Sequence, residues 1–248
     1  MKDLRERAIL HHLREARAAS VAELAESTGS SIATIRRDLQ RLDEAGVLHR
    51  THGGAVIGEG DAPFATVEPV NRDAKERIAQ AASALVHDGQ SVILDIGTTT
   101  LQLARLLRGR PITIVTPNLA IYEALRDDRD VRLILLPGEY DPVYRSVSGH
   151  LATETLRLIR ADIAFLGVSG ISNDGDLRDT TIAQVPIKQA MAAACDSATV
   201  LADHSKFPGS GAGRIAMPST VTRVITDERP PSDAGLSLTA HDVEVVVA

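Results

Sequence analysis

This chain of 248 residues lacks several things whose absence is informative. It has one cysteine, Cys195, so no internal disulfide can form, which fits a reducing compartment. It has no tryptophan, and only three tyrosines and three phenylalanines, so its core must be aliphatic. No apolar run approaches the ~20 residues of a membrane span. The N-terminus, MKDLRERAILHHLREAR, is charged throughout and has no signal-peptide core, so a soluble cytoplasmic protein is expected. There is no HxxxH, CxxC or HExxH for a metal, no GxSxG elbow, no GxxxxGK[ST] loop and no GxGxxG fingerprint. Adjacent His11 and His12 point about 100° apart on a helix and cannot share an ion. Cys195 closes the apolar run AMAAAC and reads as a buried structural thiol. Nothing calls for a cofactor, a metal or a catalytic residue.

What is present divides unevenly. The hydrophobic fraction is 44%, ample for a core, and the formal net charge is −6. Residues 1–57 hold nine Lys and Arg against eight Asp and Glu, a surplus of one, so the remainder carries the whole deficit of seven. A near-neutral head on an acidic body points to separate jobs.

The head reads as three short helices and a hairpin. Ile9, Leu10 and Leu13 share one helix side. Ser20 with Glu23 forms a capping box, Val21, Leu24 and Ala25 make the next apolar face, and Gly29 ends it. A third helix opens at Ser31, turns Ile35, Leu39 and Leu42 inward and stops at Gly46. Gly53-Gly54 then invites a tight hairpin. The outline is a winged helix-turn-helix. With the apolar stripe inward, Ser31, Thr34, Arg37 and Arg41 lie elsewhere on the third helix, flanked by Arg36 and Gln40. The start of this helix is where such a fold meets base edges, and arginine binds both guanine and phosphate. Isolated, TIRRD more often marks a solvated face with Arg36 or Arg37 paired to Asp38, Asp43 or Glu44. Inside this outline the DNA reading takes precedence, with His52 and the Gly53-Gly54 tip as the wing.

Residues 58–73, GEGDAPFATVEPVNRD, read as a linker that Phe64 can pin. From 74 to 248, helical stretches alternate with short apolar runs: SVILDI, PITIVT, VRLILLP, ADIAFLGVS, ATVLAD, RVITD and VEVVVA. The expected fold class is α/β, with a mostly parallel, doubly wound sheet behind the winged helix.

In such sheets ligands bind beyond the carboxyl ends of the strands. Asp95, Gly97, Thr98, Thr99 and Thr100 follow the first strand, and the threonines open a helix. That start suits a phosphate, yet ordinary threonine capping explains GTTT equally well. Asn118, Gly138 with Glu139, Ser169 with Gly170, and Asp203 with Lys206 occupy other strand ends, and Lys188 lies on a helix upstream. The set suits a phosphorylated sugar or polyol. Arg145, Arg178 and Arg214 are looser candidates on loops. Each residue also has a plainer role: Asp203 as a turn cap, Lys188 and Lys206 as solvated charges.

The segment TIRRDLQRLDEAGVLHRTHGGA resembles the N-terminal signature of the DeoR (GlpR-like) family of bacterial transcription regulators. It does so through Thr34, Ile35, Arg36, Arg37, Asp38, Leu39, Gly46, Leu48, Arg50, His52, Gly53 and Gly54. LDIGTTTLQLA, IVTPNLAI, LLPGEY, GVSGIS, PIKQAM and VLADHSKF resemble that family's sensor domain, related to ribose-5-phosphate isomerase. The likeness runs from about Arg5 to Asp227. It implies a homo-oligomeric regulator of sugar or polyol catabolic genes, more often a repressor. Its implied partners are double-stranded operator DNA and a phosphorylated inducer held by Asp95, Gly97 to Thr100, Asn118, Gly138, Lys188, Asp203 and Lys206. Two acidic residues frequent in the family are replaced here by Ser169 and Gln184, which weighs against a sugar-phosphate isomerase. Pro137 and Glu139 flank Gly138 where a glycine pair is more usual. A regulator whose α/β domain only oligomerises is the other alternative.

Overall fold

The computed structural model describes residues 2–16, 18–44, 48–51, 53–56, 63–209, 211–216 and 218–248. The chain divides into two compact units, Met1–Val67 and Glu68–Ala248.

In the first unit, α1 (Lys2–Ala16) leads through β1 (Ala18–Ser20) to α2 (Val21–Thr28) and α3 (Ile32–Glu44), then β2 (His49–Thr51) and β3 (Gly54–Val56). The capping box is formed: Ser20 Oγ accepts the Glu23 amide at 3.2 Å, and the Glu23 carboxylate accepts the Ser20 amide at 2.7 Å. Gly29 ends α2 at φ 62°, a left-handed conformation that glycine adopts without strain. Ile9, Leu13, Leu24, Ile35 and Leu39 are fully buried together, so the three helices close on the aliphatic stripes read from the sequence. The wing has a third strand that the reading did not include, because β1 pairs antiparallel with β3 in the order β1-β3-β2. Gly54 makes this possible: a Cβ there would lie 2.0 Å from the Ala19 carbonyl oxygen. The helix stop at Gly46 and the wing residue His52 lie outside the described residues.

Of the segment read as a linker, 58–62 also lie outside them. Pro63 precedes one helical turn, α4 (Phe64–Val67), with Phe64 buried, and Arg72 opens α5 (Arg72–Ser83).

The second unit continues with β4 (Ser91–Leu94), α6 (Thr98–Leu106), β5 (Thr113–Thr116), α7 (Leu119–Leu125) and β6 (Arg132–Leu135). A hairpin of β7 (Glu139–Asp141) and β8 (Ser146–Ser148) precedes α8 (His150–Leu156) and β9 (Ala161–Gly167). Next come β10 (Gly170–Ile171), β11 (Leu177–Asp179), α9 (Val185–Ala193), β12 (Cys195–Leu201) and β13 (Gly213–Ala216). The chain ends with β14 (Arg223–Thr226), α10 (Ser232–Ala240) and β15 (Glu244–Val247). The seven apolar runs form one sheet, all parallel, in the order β15-β14-β12-β9-β4-β5-β6. Residues 92–94 of β4 and 163–166 of β9 are buried, as strands covered on both faces must be.

The winding sets the site. From β4 the chain moves outward to β5 and β6; from its neighbour β9 it moves the other way, to β12, β14 and β15. Right-handed crossovers in opposite directions place their helices on opposite faces. The carboxyl ends of β4 and β9 therefore flank a topological switch point, where open α/β sheets leave a crevice.

Candidate functional site

Asp95 follows β4 and Gly167 ends β9, side by side at the switch point. The Gly167 amide donates to Asp95 Oδ2 at 2.9 Å. Lys188 comes to the same place from α9. Its Nζ lies 2.7 Å from Asp95 Oδ2, 2.7 Å from the Gly167 carbonyl and 3.1 Å from Asp179 Oδ2. All three charged side chains are buried, so Lys188 is no solvated charge on a wet helix. Burial alone lowers the lysine pKa, but the two carboxylates outweigh it and raise it above its ordinary value.

Asp179 was absent from the sequence reading. It stands at the end of β11, a three-residue strand with too little alternation to recognise. Its Oδ1 accepts the Thr181 amide at 2.9 Å, and Ser169 Oγ lies 3.4 Å away. A second carboxylate therefore reaches Lys188 from position 179, while position 169 contributes a hydroxyl beside it. Gln184 is also buried, and its Oε1 has no hydrogen-bond partner among the described residues.

The Gly97–Thr100 turn opens α6 in the same crevice. Gly97 is an extended N-cap without a side chain to satisfy the helix, and the Thr98, Thr99 and Thr100 amides have no acceptor. Thr100 folds back: its hydroxyl lies 2.7 Å from the Asp95 carbonyl and 2.6 Å from that of Gly97, which tightens the turn. Among the described residues, neither Thr98 nor Thr99 makes a side-chain hydrogen bond. Three amides and two hydroxyls without partners there lie at the positive end of α6, an arrangement of the kind that suits an anion.

The other residues take more structural places. Asn118 is fully buried and caps α7, its Oδ1 accepting the Ala120 amide at 2.8 Å; among the described residues its Nδ2 is unpartnered, as is the buried hydroxyl of Ser146, with which Asn118 forms a β-bridge. Gly138, at φ 154°, leaves no room for a side chain, since a Cβ would lie 2.2 Å from the Ser148 carbonyl oxygen. Asp203 accepts the Ser205 amide at 3.0 Å and Asn71 Nδ2 at 3.1 Å. Burial opposes its ionisation, but the Lys206 charge and these hydrogen bonds hold its carboxyl below the usual range. Asn71, from the expected linker, adopts φ 52°, a left-handed conformation that asparagine tolerates. Arg145 pairs with Glu123 and lines a groove of about 490 Å³ beside α6 and α7, whose lining does not include Asp95 or Lys188. Arg178 and Arg214 both pair with Asp176, at 3.7 and 2.8 Å.

A metal-type trio, His204, Asp227 and Glu228, does gather. His204 Nδ1 lies 2.7 Å from Asp227, and Arg77 lies 3.6 Å from the same carboxylate, so the imidazole and a guanidinium of the chain already engage it.

In the first unit, Asp38 is buried and bound by Arg5 at 2.6 Å and Arg41 at 2.9 Å; Arg41 also reaches Glu6. Burial raises the Asp38 pKa, but the two guanidiniums outweigh this and lower it overall. The aspartate after the arginine pair thus fastens α3 to α1. Arg36 and Arg37 are exposed, and neither has a hydrogen-bond or ion-pair partner among the described residues. Ser31 caps α3, its Oγ 2.9 Å from Thr34 Oγ1 and 3.2 Å from the Thr34 amide. Gln40 is exposed, Gly53 lies in the wing turn, and Arg50 is on β2.

Residues 5–60 match the DeoR-like helix-turn-helix domain and residues 70–228 the DeoR C terminal sensor domain. The L-fucose operon activator of Haemophilus influenzae is 31% identical over 246 residues, 98% of this chain and 99% of that one. The glycerol-3-phosphate regulon repressor of Escherichia coli is 32% identical over 229 residues, 91% of each chain. Among solved structures, ribose 5-phosphate isomerase A from Methanocaldococcus jannaschii is similar over 55% of this chain and 54% of that one, at 19% identity and a TM-score of 0.41. With both halves matched in the order in which the fold presents them, this chain belongs to the DeoR family of transcription regulators, a helix-turn-helix DNA-binding domain followed by a sensor domain.

Proposed function

We propose that the chain is an oligomeric repressor of sugar or polyol catabolic genes, released from its operator when a phosphorylated sugar enters the crevice at the β4–β9 switch point. The observation that carries the sensing half is the Gly97–Thr100 turn, where three amides and two hydroxyls lack acceptors or partners among the described residues. A phosphate dianion satisfies them all. The sugar then extends toward Ser169, Lys206 and the lip of the buried Lys188 cluster. In the reading half, Arg36 and Arg37 contact DNA, with Ser31, Thr34 and Gln40 near them and Arg50, His52 and Gly53 on the wing. A pair of such units places recognition helices ~34 Å apart on successive major-groove faces. A coupling of ~1–3 kcal/mol changes operator affinity by roughly 5–150-fold, and operator DNA weakens effector binding by the same factor.

The relatives' names support the pathway class: one regulates an L-fucose operon and another a glycerol-3-phosphate regulon. The test is fluorescence anisotropy on DNA from upstream of the chain's own gene, titrated with paired phosphorylated and free sugars. A phosphorylated member should release the DNA, its unphosphorylated parent should not, and Thr98→Ala/Thr99→Ala should bind DNA but lose the response. Release by the free sugar alone, or an undiminished response in the double variant, refutes the proposal.

A further inference from the structure

One face of the second unit is built to receive something of its own shape. Leu158, just after α8, is 89% exposed, and Leu151, a residue of α8 seven positions earlier, is 64% exposed. Leu158, though not Leu151, stands on the wall of a groove of about 910 Å³ whose α9 side carries the small residues Pro186, Ala190 and Ala193 together with Gln189. A large aliphatic knob and a small-residue groove thus sit together on one face. Two-fold contacts require this, because the same patch must supply both partners of every interaction.

Charge points the same way. The chain's net charge of −6 works against contact between two copies. Around this groove, however, Arg157 and Arg160 are matched by Glu154 and Asp196, with which they form ion pairs. The face is locally neutral, and its rim carries both signs.

We infer that this α8–α9 face is where a second copy of the chain docks, with Leu158 of each copy seated in the other's small-residue groove. The inference rests on the proposal that the chain self-associates, and it names the surface. It also gives that surface a role. The outer side of α9 (Pro186, Gln189 and Ala193) faces the groove, while its inner side carries buried Ile187, Lys188 and Met191. One helix therefore touches the neighbouring subunit on one side and the crevice cluster on the other, so a shift of α9 at either is felt at both.

The experiment is sedimentation velocity on the full chain across micromolar concentrations, without added sugar phosphates. The wild type should sediment as a multiple of the 26.4 kDa chain. Leu158→Asp and Ala193→Arg should each weaken self-association about thirtyfold or more, as expected for charging or filling an interface anchor. Both positions are exposed, so far-UV circular dichroism should be unchanged. Leu236→Asp, an equally conspicuous leucine at 70% exposure on α10, should leave the mass as it is. An oligomeric wild type whose mass neither Leu158→Asp nor Ala193→Arg changes overturns the surface and leaves self-association standing. Equal loss in Leu236→Asp also overturns the surface. A wild type that stays monomeric overturns both readings.

Discussion

Replacing Lys188 by methionine removes one charge and little volume, and the consequence follows from the three groups around it. The ammonium touches Asp95, Asp179 and the Gly167 carbonyl, with both carboxylates buried. Taking away the cation leaves two buried carboxylates facing each other. Breaking a buried pair from one side costs about 3–5 kcal/mol. For a unit of this size, 1 kcal/mol shifts the melting temperature by about 2–4 °C, so a fall of about 6–20 °C is expected. The sign with pH can also be worked out. In the wild type, Lys188 is raised above its unfolded value of ~10.4, so its contribution is complete below that pH and is lost only as pH rises through the still higher folded value. From pH 5 to 9 it is constant. Urea unfolding of wild type and Lys188→Met, followed by far-UV circular dichroism at pH 7.5, measures the deficit; the chain has no tryptophan to follow instead. A deficit below about 1 kcal/mol refutes the cluster as drawn, because a buried cation between two carboxylates must cost more than a surface ion pair.

Five other outcomes follow from particular residues. Arg37→Ala should weaken operator binding and flatten its salt dependence without altering the melting curve; Arg41→Ala should lower stability by about 1 kcal/mol, since Arg41 holds Asp38 and Glu6. Ile35→Ala, in the same helix, should lose about 2–5 kcal/mol and with it all binding. Gly138→Ala places a Cβ 2.2 Å from the Ser148 carbonyl oxygen at φ 154°, and should cost about 1–3 kcal/mol in a thermal melt; an unchanged melt means the strand-end loop is drawn wrongly. The His204 imidazole is raised above its ordinary pKa by its hydrogen bond to Asp227, against the effect of burial and with help from the Asp227, Asp203 and Glu228 charges. Its small contribution to stability is complete below about pH 6.5 and is lost as pH rises through the higher folded value. An NMR titration should find that value raised and Asp227→Asn should restore it.

The chain order of this fold can be read locally. Ser20 and Glu23 are three residues apart and close their capping box wherever a helix starts. Ile35, Leu39 and Leu42 share a helix face by geometry alone, and β-branched runs such as SVIL and TIVT form strands because both faces of a parallel sheet exclude water. The exposed arginine pair and the helix-opening threonines belong to the same local code. Short elements do not: β1, β10 and β11 have two or three residues and exist because a partner strand lies beside them. Helix α10 buries Ala234 and Leu238 but is otherwise rich in Ser, Gly and Thr, too faint a stripe to recognise.

Only the folded chain decides which strands are neighbours, and so where the crevice lies. β4 and β9 pair across an intervening stretch that holds two other strands of the same sheet, and that pairing brings Asp95 to Lys188, 93 positions away. Within the first unit, folding ties Asp38 to Arg5 on another helix; within the second, it supplies Lys188 with Asp179. Propensity and capping act over a few residues, whereas charge pairing and register depend on which distant surfaces the core presses together. The sequence states the parts; long-range burial chooses their company.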